Sequence, residues 1–179
     1  DHAFDNGAPS DTSNISGAVA GGHLGWNHQP PGGFVFGIEG DGLVIARGNA
    51  AHLTLSIDCH QGDWWQALPP AAPPQHLALA NPPYIMPGDP HLATLRHEPV
   101  SALVAQGDRG DGLADIERIL AGAASHLRPG AWLLLEHGFD QAEAVCERLH
   151  RAGFATVATR ADLAGQPRVS GGQWRGANG

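Results

Sequence analysis

His76-Leu77-Ala78-Leu79-Ala80-Asn81-Pro82-Pro83-Tyr84 is the stretch on which the fold turns. A short apolar run enters an asparagine and two prolines, so it reads as a buried strand that stops abruptly. Downstream, Ala131-Trp132-Leu133-Leu134-Leu135-Glu136 is a continuous apolar run, which predicts a strand buried on both faces. Between the two, Ile116, Ile119, Leu120, Ala123 and Leu127 fall on one helical face, predicting a helix over 113–127 that Arg128-Pro129-Gly130 stops. A second helix is expected over 141–152, with Ala144, Val145, Leu149 and Ala152 inward and Gly153 at its end. Strands are expected at 154–159 and 168–174. Upstream, Phe34–Ile38 predicts a short buried strand ending at Glu39, residues 42–53 a helix, and 54–59 a strand. No clean strand is visible before Phe34, and residues 1–40 otherwise read as irregular. The stretch from Met86 to Gly112 reads as a long loop, a length that inside a compact domain is usually functional. Strands alternating with helices predict an α/β domain with a mostly parallel sheet covered on both faces.

The 179 residues suit one domain. Apolar residues make up 42%, which excludes a disordered tail, and 25 glycines and 14 prolines predict many turns. No apolar run approaches a membrane span. The chain starts at Asp1 with no charged-then-apolar leader, so no signal peptide is read and the natural chain is expected to start earlier. The formal charge is −8, and all ten cations are arginine. That balance disfavours non-specific nucleic-acid binding, whose affinity comes from cations neutralising phosphate. Cys59 and Cys146 are too few and too far apart for a disulfide framework or a zinc site, so a reducing, cytoplasmic setting is the default. The eleven histidines are scattered without H-E-x-x-H spacing, and no metal is expected.

Ligands of open α/β sheets bind at the carboxyl ends of strands, where Asn81-Pro82-Pro83-Tyr84 is expected to sit. Two prolines fix the backbone and remove two N–H donors, leaving carbonyls without competing donors. The Asn81 side chain adds an acceptor and Tyr84 a flat ring. Such a set suits a planar –NH2 group held by both hydrogens. An amide nitrogen is a poor nucleophile because its lone pair is delocalised, and two acceptors localise and aim it. What remains is an electrophile held in line, a matter of positioning. The plainer reading is a proline turn with Asn81 satisfying its own backbone.

Four stretches together resemble the HemK/PrmC family of S-adenosylmethionine-dependent methyltransferases, which modify the glutamine of the Gly-Gly-Gln loop in peptide chain release factors. They are Ile45–Leu53; Gly62-Asp63-Trp64 with Gln66-Ala67-Leu68; Asn81–Ile85 with Asp89-Pro90-His91-Leu92 and Glu98-Pro99; and Leu133–Gly138 with Gln141–Val145 and Pro167-Arg168-Val169 near Trp174. The resemblance covers about residues 43–175. It implies a Rossmann-like class I methyltransferase fold with an antiparallel C-terminal strand, S-adenosylmethionine as cofactor, and class 1 release factors as protein substrates of a monomeric enzyme of translation termination. It assigns Asn81 and the Pro82 carbonyl to the glutamine amide, Pro83 to the rigid substrate loop, and Tyr84 to the amide and reactive methyl. Asp63 is assigned to the adenine amino group, with Trp64 beside it; the alternative is a surface carboxylate before a core indole. Glu98 is assigned to the substrate pocket, the alternative being a solvated loop acid. His97 departs from an expected phenylalanine.

The front of the chain departs furthest. The family's D-x-G-x-G-x-G cofactor loop is best matched by Asp11 to Gly17, with Ser13 and Ile15 where glycines are expected. A β-branched residue fits poorly where positive φ or close approach is needed. In this register Asp11 and Gly17 belong to the cofactor loop, Asn81 borders the cofactor, and Glu39 accepts the ribose hydroxyls. The expected organisation is a degraded cofactor loop in 1–40, a catalytic domain over 41–179, and no counterpart of the family's helical N-terminal domain, so the chain reads as a fragment. Two alternatives stay open: a nucleic-acid amino methyltransferase that shares N-P-P-Y and flips a base onto Tyr84, and a non-catalytic remnant. Gly171-Gly172-Gln173 also spells the family's substrate motif, and the plain reading is the end of a strand.

Overall fold

The structure is a computed structural model that describes residues 17–21, 34–37, 51–52, 57–60, 62–90, 92, 103–105 and 110–176. Its centre is a seven-stranded sheet: β1 (Gly17–Gly21), β2 (Phe34–Gly37), β3 (Ile57–His60), β4 (Gln75–Asn81), β5 (Leu127–Glu136), β6 (Phe154–Ala161) and β7 (Pro167–Trp174). The spatial order is β3-β2-β1-β4-β5-β7-β6. All neighbours are parallel except β7, which runs antiparallel to β5 and β6. The expected mostly parallel sheet with an antiparallel C-terminal strand is therefore present.

Register fixes where a site lies. His60 pairs with Gly37, Gly37 with Ala20, Ala20 with Ala80, and Ala80 with Leu135. The carboxyl ends of the five parallel strands thus form one edge. Asn81 is the last residue of β4 and pairs with Gly21, the last of β1.

Two helices connect the later strands: α1 (Ala114–His126) and α2 (Ala142–Arg151). Ile116, Ile119, Leu120 and Ala123 of α1, Val145 and Leu149 of α2, and Leu133 and Leu135 of β5 form one core, with Leu133 and Leu135 wholly buried. Each such leucine contributes about 1.5–3 kcal/mol by leaving water. Burial along β5 alternates from Ala131 to Glu136, and Trp132, Leu134 and Glu136 are only half-buried. The continuous apolar run predicts burial on both faces, whereas only the face under the helices is fully buried. The helices are also tied by charge. Arg148 on α2 donates Nε to Glu117 on α1 at 3.0 Å and Nη2 to Asp111, ahead of α1, at 2.5 Å.

The second difference is at the front. Gly17-Ala18-Val19-Ala20-Gly21 forms a strand between β2 and β4. Apart from Val19 these small residues carry little β-propensity of their own, and their strand character comes from pairing on both sides. Ala51 and His52 are helical, and the rest of the helix expected over 42–53 lies outside the described residues. Among the described residues, no helix is long and apolar enough to cross a membrane.

Candidate active site

The turn after β4 is held from several directions. Pro82 is wholly buried, while Asn81, Pro83 and Tyr84 are half-buried. The N–H of Ile85 donates to the Leu103 carbonyl at 2.9 Å, and Ile85 pairs with Val104 in an isolated parallel bridge. The Tyr84 carbonyl accepts Gln141 Nε2 at 3.0 Å. Gly112 closes the other side at φ 70°, and a Cβ there would stand 2.3 Å from the Tyr84 oxygen. Only glycine fits, on both grounds. The four residues expected to act together on a substrate amide are therefore consecutive at the carboxyl edge, and Asn81 is not swallowed by the core.

Asp63 and Trp64 lie on the loop that follows β3. Trp64–Ala67 forms a single 3-10 turn packed against α1 and β1. Trp64 sits at φ 48°, in the left-handed region that costs an L-residue about 1–2 kcal/mol. Its indole N–H donates to Asp115 Oδ1 at 3.1 Å, which holds that conformation. The same oxygen accepts Arg118 Nη1 at 3.0 Å, and Arg118 Nη2 pairs with Asp63 Oδ2. Asp115 is buried at 3% exposure and carries both contacts. Trp64 therefore packs partly against the core, and Asp63 stays half-exposed with one oxygen on an arginine. A carboxylate has about four acceptor directions, so a second donor is compatible with that pair. Trp65 is the more firmly anchored indole, donating to the Ile119 carbonyl at 2.7 Å and stacking on His126.

Past β5, His137 is wholly buried. Its Nδ1 contacts the Gly138 carbonyl at 2.8 Å, and an acceptor there fixes the proton on Nδ1. Nε2 of the neutral ring then accepts from Ser170 Oγ at 2.7 Å, and Ser170 Oγ accepts from Thr159 Oγ1 at 2.7 Å. Burial, aided by Arg168, pushes the His137 pKa below the ordinary imidazole value, against the Gly138 bond and the Glu136 and Asp140 charges. Burial thus favours the neutral ring in the folded protein.

Of the remaining expected residues, Asp11, Glu39 and Glu98 lie outside the described residues. Gly17 is corrected. The expectation puts it in a cofactor loop, but it opens β1 and pairs with Leu77. Asn81 is four positions further along, roughly 13 Å at strand rise, so Gly17 stands at the wrong end of its strand to meet a cofactor there. Gly21 is the residue of β1 at the edge. The Gly-Gly-Gln of β7 is far from the edge too: Gln173 pairs with Trp132, in the same row as Leu77, and donates Nε2 to the Gly130 carbonyl at 2.9 Å. Sequence reading missed Gln141, Gly112, Asp115 and Arg118. The signal for Gln141 was its place just past the carboxyl end of a buried strand, which puts it on the same edge as Asn81.

No family model matches the chain. Curated relatives do. The release factor glutamine methyltransferase of Bordetella pertussis is 48% identical over 132 residues, 73% of this chain and 47% of the relative. That of Burkholderia pseudomallei is 51% identical over 118 residues, covering 65% and 40%. That of Neisseria gonorrhoeae is 39% identical over 174 residues, covering 95% and 62%. The chain spans about half the length of the curated relatives it matches. Among solved structures, a methyltransferase from Pyrococcus furiosus superposes with a TM-score of 0.60 at 15% identity, covering 92% of this chain and 78% of that one. A ribosomal protein L11 methylase from Lactobacillus delbrueckii gives 0.58 at 11%, covering 93% and 72%. These likenesses show the fold, the Rossmann-like class I methyltransferase sheet. Over the matched residues, the chain is similar to the release factor glutamine methyltransferases.

Proposed function

We propose that the protein transfers a methyl group from S-adenosylmethionine to the side-chain amide nitrogen of the glutamine in the Gly-Gly-Gln loop of class 1 peptide chain release factors. The observation that carries this is the proline-locked Asn81–Tyr84 turn at the carboxyl end of β4, beside the end of β1. Asn81 Oδ1 and the Pro82 carbonyl accept the two amide hydrogens and concentrate the lone pair on nitrogen. Pro82 and Pro83 hold those acceptors with little torsional freedom. Tyr84 packs its ring on the amide.

The edge fits the cofactor. β1 and β2 end in Gly21 and Gly37, neither of which sends a side chain into that edge. Asp63 would accept the adenine amino group with Trp64 beside it, Asn81 would border the methionine portion, and Glu39, two residues beyond β2, would take the ribose hydroxyls. Asp11 remains a proposed cofactor contact and Glu98 a proposed wall of the substrate pocket. When bound, S-adenosylmethionine would supply an electrophilic methyl group and keep the bonding pair on sulfur, and the amide nitrogen, on taking the methyl, would release one N–H proton to water. The catalyst is proposed to act as a monomer. A release-factor substrate would place the reaction in the cytoplasm.

The test offers labelled S-adenosylmethionine with three acceptors: a release factor, duplex DNA and ribosomal RNA. The expected result is label on the release-factor glutamine alone. Label on nucleic acid and not on the release factor would overturn the proposal. Absence of cofactor binding in calorimetry would identify a remnant.

A further inference from the structure

We infer that Gln141 is a positioning residue that sets the geometry of the Asn81–Tyr84 turn; its catalytic consequence rests on the methyl transfer proposed above. Gln141 stands directly before α2 but makes no capping bond with its side chain. Its carboxamide instead joins three separate segments. Nε2 donates to the Tyr84 carbonyl at 3.0 Å and to the Asp111 carbonyl at 2.9 Å, and Oε1 accepts the Gly138 N–H at 2.7 Å. Both protons of the –NH2 group are used. The orientation is unambiguous, because a flipped amide would face oxygen to two carbonyls.

The base of this clamp is firm. The Gln141 N–H donates to the Gly138 carbonyl at 3.0 Å. The same carbonyl takes the buried His137 Nδ1–H, which continues to Ser170 and Thr159 on β7 and β6. The far side is equally tight: a Cβ on Gly112 would lie 2.7 Å from Gln141 Nε2 as well as against the Tyr84 oxygen. The force applied at Tyr84 reaches the substrate acceptors through few soft torsions. Pro83 has a fixed φ, and the Tyr84 peptide is pinned by Gln141 on its oxygen and by Leu103 through the following Ile85 N–H. The Pro82 carbonyl therefore takes its direction partly from Gln141.

The test compares Gln141→Ala and Gln141→Glu with the parent chain. Backbone hydrogen exchange reads the turn without reference to activity. In both variants the Ile85 amide should exchange about tenfold faster, while α2 amides stay within about twofold of the parent. Release-factor methylation should lose about tenfold or more in kcat, with S-adenosylmethionine Kd nearly unchanged. The isosteric Gln141→Glu variant should partly recover relative to the parent as pH falls, because a protonated carboxyl regains one donor. Unchanged Ile85 exchange in both variants would overturn the inference, as would loosening of α2 and β5 to the same degree. A parent that leaves release factor unmethylated while this exchange pattern holds would refute the proposed reaction and support the clamp.

Discussion

A side-chain carbon at Gly171 would stand 2.4 Å from Leu134 Cδ2 and 2.6 Å from the Leu133 carbonyl oxygen. One obstacle is a side chain, the other is backbone, and the backbone cannot yield without moving β5. Gly171 is therefore a packing requirement of the β5–β7 pair, and its place in a Gly-Gly-Gln triplet follows from the sheet. Gly165, in the β6–β7 turn, is the contrasting case: φ is +80° and nothing lies within 4 Å. Gly171→Ala should cost about 3 kcal/mol through overpacking, and Gly165→Ala about 1 kcal/mol through left-handed backbone alone. Urea midpoints measure both. Equal losses would show that the β5 contact is not felt. Asp115 teaches a related lesson. It is a buried acid that fixes Trp64 and, through Arg118, steadies Asp63. The Arg118 pair, three residues on, is local, but the Trp64 partner lies 51 residues away, so the sequence around Asp115 does not mark it as buried.

At the scale of elements, the segment after β5 links stability to pH. His137 is held neutral by burial, with its folded pKa depressed. Below the ordinary value of about 6.5, the unfolded chain takes up a proton that the folded ring refuses. The stabilisation is therefore full above about pH 6.5 and declines as pH falls through that value toward the folded pKa. Urea midpoints at about pH 7.5 and 5.5 should fall more for the parent than for His137→Gln, whose side chain does not titrate. The same fall in both proteins would remove His137 from the account. The elements also show which signals local sequence carries. β4, β5, α1 and α2 were legible because apolar spacing, Pro82, Pro129 and Gly153 mark their faces and ends. β1 was not: Gly17 to Gly21 is short and small, and only its two partners make it a strand. The missed strand then shifted the expected cofactor loop, which put Gly17 at the wrong end. The place of Gln141 past the end of β5 was legible, but its clamp was not, since Tyr84 is 57 residues away.

At the scale of the whole molecule, one sheet edge gathers the pieces of the account. Register aligns the ends of β1 to β5, and the turns beyond them carry Asn81–Tyr84, Asp63 and Gln141. The relatives share 39–51% identity over the matched residues, and the solved methyltransferase shares the sheet. The N-P-P-Y turn was legible because proline chemistry is local and unmistakable. The partners that hold it were not, because they converge from three loops. The most direct test of the central idea, an amide gripped by two oxygen acceptors, is the Asn81→Ala variant followed on both halves of the reaction. Single-turnover methylation of release-factor glutamine should fall by about 100-fold, the scale of losing one preorganised hydrogen-bond partner of the reacting group, while S-adenosylmethionine affinity changes only a few-fold. Methylation by Asn81→Ala at the parent's rate would contradict the account.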